Sequence, residues 1–249
     1  MKFFFISIFI SIAVNAYSQP FYQIINRNVQ LVLSSNIDSN NSIIEKLKID
    51  TLCKDCYGLS ISDNSGNLLP ASIYSLDWVE YIEINFRYPI LLTKELSKCA
   101  KLKSIMVISP IGAIDDSLIL PKLESFSAIN FGMKKFPKAI FLWSNLKFLN
   151  LQNGNFKCLP EKIDQLYKLE HLNISNNKIE KLPEQIGNLH NLKSLGISQN
   201  NLRTLPASIC NLKKLRNLYA IKNPKLEITP NQKKCLNELD NFEEMYFDK

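Results

Sequence analysis

Residues 182–204 read LPEQIGNLHNLKSLGISQNNLRT, and both neighbouring stretches say nearly the same thing: LPEKIDQLYKLEHLNISNNKIEK at 159–181 and LPASICNLKKLRNLYAIKNPKLE at 205–227. Self-similarity at a fixed period of roughly 20 to 50 residues decides the architecture before any local feature does. Aligned on the second leucine of L-x-x-L-x-L, the three units share Leu172, Leu195 and Leu218, each 23 residues from the next. The same step backwards reaches Leu149 and Phe126. One shorter step of 21 then reaches Ile105, and two more of 23 reach Ile82 and Leu59. Eight rungs are therefore in phase.

Two residues after each of these positions stands another apolar or small residue: Ile61, Ile84, Val107, Ala128, Leu151, Ile174, Ile197 and Ala220. Such short alternation predicts a strand with one buried face. The second half of each unit reads L-P-x-x-I-x-x-L, as at Leu69-Pro70 to Ile73 and Leu76, Phe136-Pro137 to Ile140, and Leu182-Pro183 to Ile186 and Leu189. Spacing of three suits a tight helical or 3₁₀ return, whose side chains at i and i+3 eclipse. No single unit can bury its own apolar side, so stacking must build the core.

These residues resemble the leucine-rich repeat proteins, specifically the 23-residue class with L-x-x-L-x-L-x-x-N-x-L-x-x-L-P-x-x-I met in intracellular Ras-scaffold and plant resistance-type proteins. The resemblance covers roughly Cys53 to Thr229. It implies an α/β solenoid: a horseshoe with a parallel concave β-sheet of about eight strands, short helical or 3₁₀ convex segments, and a role in binding other molecules. The family's turn asparagine, whose amide can satisfy free backbone groups, is kept at Asn64, Asn177, Asn200 and Asn223. Arg87, Pro110, Phe131 and Gly154 replace it in the middle rungs, with Asn130 and Asn153 one residue early, so those turns are expected to be reshaped.

The chain opens MKFFFISIFISIAVNAYSQP, a lysine followed by an apolar run from Phe3 to Val14 and small residues at Ala16 and Ser18. That is the layout of a secretory signal peptide, and the run is shorter than the roughly 20 residues a membrane span needs. Cleavage after Ser18 leaves Gln19, and cleavage after Ala16 leaves Tyr17; 1–18 is taken as the leader. The expected layout is then a leader at 1–18, an N-terminal cap at 19–52, repeats at 53–229 and a C-terminal capping helix with its tail at 230–249. In that last segment Thr229 reads as N-cap, Pro230 as first helical residue, and Leu236 and Leu239 as inward-facing. The protein is expected to be exported, secreted or periplasmic, with no transmembrane anchor, and monomeric. Without the leader the charge is 29 − 23 = +6. The lysines are scattered along the chain, without an arginine cluster or an aromatic-basic motif, which argues against nucleic acid.

Catalytic and metal chemistry find little purchase, and neither a cofactor nor a metal site is expected. Cys53-Lys-Asp-Cys56 has a redox or half-zinc spacing, but Cys53, Cys56 and Cys99 fall on framework positions, where a thiol is a small apolar side chain. A local disulfide is the alternative there. Cys210 and Cys235 are the one distant pair considered, and Cys158, between Lys135 and Lys181 on the neighbouring rungs, is expected to be unpaired. The two histidines fall on opposite sides, His171 on the concave sheet and His190 on the helical side, so they share no site. No carboxylate stands beside His171 on the concave face to orient it as a base, and Asp115-Asp116 and Glu243-Glu244 read as solvated charge. Asn40 and Asn173 open glycosylation-type sequons.

Strand residues alternate faces, so those flanking the buried positions line the concave surface. They are mostly Ser and Asn with aromatic and apolar residues. Tyr81, Met106, Ile129, Phe148, Asn150, His171, Asn173 and Tyr219 are the candidate binding residues, with Tyr81, Met106, Phe148 and Tyr219 as anchors, because buried interface cores favour aromatics and Met. The expected function is protein binding by a non-enzymatic module. A glycan or peptide on the same face, and a regulatory or substrate-binding subunit of an enzyme, are the alternatives.

Overall fold

The alternation and the Pro-x-x-Ile returns dictate a coil of strand, turn and return, and a computed structural model has that form. It describes residues 21–25, 28–33, 40, 42, 44, 56–63, 67–239 and 244–246. The leader, Cys53 and Asn64 lie outside the described residues, as does most of the expected N-terminal cap. In chain order the strands are β1 Phe21–Ile25, β2 Asn28–Leu33, β3 Gly58–Asp63, β4 Tyr81–Phe86, β5 Ile90–Leu92, β6 Ser104–Val107, β7 Ile111–Ile114, β8 Ser125–Ala128, β9 Phe148–Leu151, β10 His171–Asn173, β11 Ser194–Gly196, β12 Asn217–Tyr219 and β13 Glu244–Tyr246.

Eleven strands form the main sheet, in the order β1-β2-β3-β4-β6-β8-β9-β10-β11-β12-β13. The eight repeat strands are parallel, and each reference residue pairs with the next: Leu59 with Ile82, Ile82 with Ile105, Ile105 with Phe126, and on to Leu195 with Leu218. The short step of 21 therefore costs no register; Ile105 faces Phe126 directly. Three further strands lengthen the ladder. β2 joins β3 in parallel and β1 folds back on β2, while the tail returns as β13 beside β12. Eight strands follow from the 23-residue period, whereas these three carry only fragments of it.

Inward side chains make one continuous core running from Leu31 to Leu239. Among the described residues, six returns are 3₁₀ segments preceded by proline or Thr93, as in Ala71–Ser75, Glu161–Gln165 and Ala207–Asn211, with Ile73, Ile163 and Ile209 fully buried; the shorter return between β6 and β8 is made of turns alone. The fixed proline φ sets the entry into the tight turn. At the C-terminus, helix Pro230–Asn237 has a capping box between Thr229 and Gln232, and Leu236 and Leu239 are buried as expected. Gln232 does more than cap: its Nε2 donates to Leu205 O at 2.9 Å and Pro206 O at 3.2 Å, tying the helix to the last repeat. A Cys210–Cys235 disulfide adds a covalent tie. Cys56 and Cys99 are buried free thiols, and burial pushes the Cys99 thiol up to about 11; Cys158 is free and exposed.

The turn asparagines act as the family pattern implies. Asn200 Nδ2 donates to Ile174 O and Ile197 O, both at 3.0 Å, while its Oδ1 accepts from Ile179 N at 3.0 Å. Asn223 repeats this with Ile197 O, Ala220 O and Leu202 N. The residue before each takes a left-handed turn: φ is 54° at Asn176, 55° at Gln199 and 58° at Lys222. Asn153 has φ 57°, so that turn survives although Gly154 holds the asparagine's place. Its reason is steric. Phe131 and Phe156 fill the turn interior edge-to-face, 6.2 Å apart, and a Cβ on Gly154 would collide with Asn177 Oδ1 and approach the Phe156 ring to 2.9 Å. Further back, the left-handed residue is Gly132, and β5 and β7 form a separate small parallel sheet. The turns at Arg87, Pro110 and Phe131 are reshaped, as expected, whereas the one at Gly154 keeps the left-handed form of the later repeats.

Candidate binding surface

The register arranges the outward residues of the main sheet in columns. One runs Tyr81, Ser104, Ser125, Phe148, His171, Ser194 and Asn217; the next runs Glu83, Met106, Ser127, Asn150, Asn173, Gly196 and Tyr219. At one end the Tyr81 hydroxyl donates to Glu83 Oε2 at 2.8 Å and lies 3.7 Å from Met106 Sδ. Burial, then the Glu83 carboxylate, raises the tyrosine pKa. In the middle, Phe148 and His171 have ring centroids 6.0 Å apart. Burial lowers the His171 pKa; the neighbouring Glu170 carboxylate opposes that only in part. At the other end Tyr219 stacks on Tyr246 with centroids 5.0 Å apart and planes within 11°.

Not every expected residue is available to a partner. Asn150 is buried and donates to Ser127 Oγ at 3.1 Å. Asn173 is half-buried; its Oδ1 accepts from Ser175 N at 3.0 Å and lies over Gly196, where a Cβ would come within 2.7 Å. That side chain and the buried Asn40 make poor glycosylation acceptors. Tyr81, Met106, Ile129 and Phe148 are partly exposed, and His171 and Tyr219 are exposed. Glu83 and Tyr246 stand at the two ends without having been singled out from the sequence. The tail's alternation is too short to announce a strand, and Glu244, read there as solvated charge, sits in β13 opposite Asn217.

Two rims border the face. Immediately before the strands stand Glu80, Lys103, Glu124, Lys147, Glu170 and Lys193, alternating in sign, with ion pairs Glu80–Lys103 at 2.8 Å, Glu124–Lys147 at 3.0 Å and Glu170–Lys193 at 2.5 Å. After the strands runs an amide row in which Asn153 Nδ2 donates to Ile129 O at 2.6 Å and Asn176 Nδ2 donates to Asn153 Oδ1. Between the rims the surface is nearly uncharged. Among the described residues no group of three or more His, Cys, Asp or Glu gathers as a metal ion would need, and no helix is long and apolar enough to cross a membrane.

A leucine-rich repeat region matches residues 122–248, more than half of the chain. The chain belongs to the leucine-rich repeat family. That family is generally a non-enzymatic binding scaffold that commonly mediates protein–protein interaction. No curated protein matches the sequence. Among solved structures, TLR13 in complex with ssRNA13 superposes with a TM-score of 0.66 at 18% identity, over 88% of this chain and 33% of that one. The mouse RP105/MD-1 complex gives 0.61 at 16% identity, over 78% and 34%. The plant peptide hormone receptor RGFR1 with RGF2 gives 0.51 at 18% identity, over 79% and 37%. In these three, this leucine-rich repeat chain spans about a third of the partner's length, and the likeness is one of fold.

Proposed function

We propose that this leucine-rich repeat protein is exported and binds a protein ligand on its concave face, without catalysing a reaction. What supports this is the make-up of that face. It is a wide, nearly uncharged sheet with Tyr81, Met106, Phe148 and Tyr219 projecting from it at least partly exposed, the residue types that dominate buried interface centres. Ten parallel strands at about 4.8 Å spacing make it long enough for a folded partner. Export is supported by the leader-like N-terminus, and a Cys210–Cys235 disulfide suits an oxidising compartment.

A pull-down with the mature protein from Gln19 to Lys249, beside the triple variant Tyr81→Glu, Phe148→Glu, Tyr219→Glu, tests the concave site. Capture by the native form alone is the expected result. A partner retained equally by a folded triple variant would remove the concave face from consideration.

A further inference from the structure

The lysines look scattered in the sequence because neighbours on a solenoid stand 23 residues apart. Where the chain leaves the concave face, successive turns lie side by side. Asn155 N donates to Met133 O at 2.9 Å, Lys178 N to Phe156 O and Glu180 N to Lys157 O at 3.1 Å, and Asn201 N to Ile179 O at 2.9 Å, while Cys158 bridges Lys181. This flank gathers Lys134, Lys135, Lys157, Lys178, Lys181 and Arg203, all exposed, against the carboxylates of Glu180 between them and of Glu184 and Glu227 at its edge. None of the six forms an ion pair among the described residues. From Lys134 to Arg203 is three rungs, about 14 Å at ordinary strand spacing. Cations on adjacent rungs, about 4.8 Å apart, lie within the screening length of about 8 Å at physiological salt and reinforce one another.

The side chains between the cations narrow the class of ligand. They are small or polar: the amides of Asn155 and Asn201 and the exposed Cys158 and Thr204 within the flank, and the row Asn130, Asn153, Asn176 along its border. Every aromatic in these turns, Phe131 and Phe156, is buried. Single-stranded nucleic acid wants aromatic platforms for its bases. A membrane surface rewards exposed apolar side chains that enter the lipid, and Met133, the most exposed large apolar side chain among the described residues of these turns, packs against the core. Protein interfaces are depleted in lysine and enriched in aromatics. Ammonium groups are point charges that take a carboxylate or a sulfate without the bidentate geometry of a phosphate clamp, and amides suit hydroxyls. We propose that this flank is a second binding surface, for an anionic polysaccharide, whose carboxylates or sulfates meet the lysines and whose hydroxyls meet the asparagines.

The test uses the full chain, immobilised heparin and polygalacturonate as sulfated and carboxylated probes, and dextran as the uncharged control. The variant Lys134→Gln, Lys157→Gln, Lys181→Gln, Arg203→Gln is compared with Lys101→Gln, Lys122→Gln, Lys162→Gln, Lys213→Gln, which removes the same charge from exposed sites elsewhere. The expected result is salt-sensitive binding to at least one anionic probe and none to dextran, weakened about ten-fold or more by the flank variant and less than about two-fold by the control. Should the fourfold variant lose its circular dichroism signal, Lys157→Gln and Arg203→Gln singly decide, each expected to weaken binding about three-fold. The proposal is overturned if the native protein ignores both polymers or if the two fourfold variants weaken binding equally. It also falls if phosphatidylglycerol vesicles or a poly-dT oligonucleotide bind the flank more tightly than the polysaccharides do.

Discussion

Asn177 and Asn200 occupy equivalent turns one rung apart, and replacing each by alanine isolates a single hydrogen bond. Both donate through Nδ2 to two buried carbonyls, Leu151 O and Ile174 O for Asn177, Ile174 O and Ile197 O for Asn200. Only Asn200 also accepts, from Ile179 N; Asn177 Oδ1 is buried with no hydrogen-bond partner, because Phe156 packs in the turn before it. The volume removed is the same at both sites, so cavity terms largely cancel. At about 1 kcal/mol net for each lost bond, Asn200→Ala should cost about 3 kcal/mol and Asn177→Ala about 2 kcal/mol. The stranded Ile179 N–H, now buried without an acceptor, widens the gap rather than closing it, since an unsatisfied buried donor costs about 1–3 kcal/mol. Urea unfolding followed by far-UV circular dichroism measures both, with equal m-values required for the comparison. If Asn177→Ala proves as costly as Asn200→Ala, the acceptor bond is not what distinguishes the two turns.

Two further outcomes follow from the tail and from the concave face. Cys235→Ser opens a link spanning 25 residues and should lower stability by about 3 kcal/mol. Reductant should bring the native protein down to the variant's level and leave the variant unchanged, while native stability indifferent to reductant would refute this. His171 is depressed by burial, so its folded pKa lies below the unfolded value of about 6.5. Its contribution is therefore complete above that value and is lost as pH falls through the folded pKa. His171→Asn should flatten the fall in urea midpoint between pH 7.5 and 5.5, and an unchanged slope would show that other groups carry it.

The repeat strands were legible because each rung spells the same alternation, and Leu172, Leu195 and Leu218 needed only to be counted. The C-terminal helix was legible from Thr229-Pro230 and its spaced leucines. β13 was not, since three residues cannot display a period, and its partner strand is known only once α-helix and sheet are assembled. On the concave face the alternation names which side chains point outward but not their height, so it marks Asn150 as outward-facing although the residue is buried and bonded to Ser127. The basic flank escaped for a different reason: proximity in a solenoid is periodic, so Lys134 and Lys157 are strangers in sequence and neighbours in space. Gly154 looked like a lost asparagine, and only the Phe131–Phe156 packing explains why nothing larger fits.

The rim that alternates from Glu80 to Lys193 also gives the coil a parity. Excising the unit that carries Lys147 would set Glu124 beside Glu170, and like charges facing one another across adjacent strands are destabilising. Excising that unit together with the next sets Glu124 beside Lys193, and the pairing is whole again. Along this stretch the alternation survives lengthening or shortening only by an even number of turns.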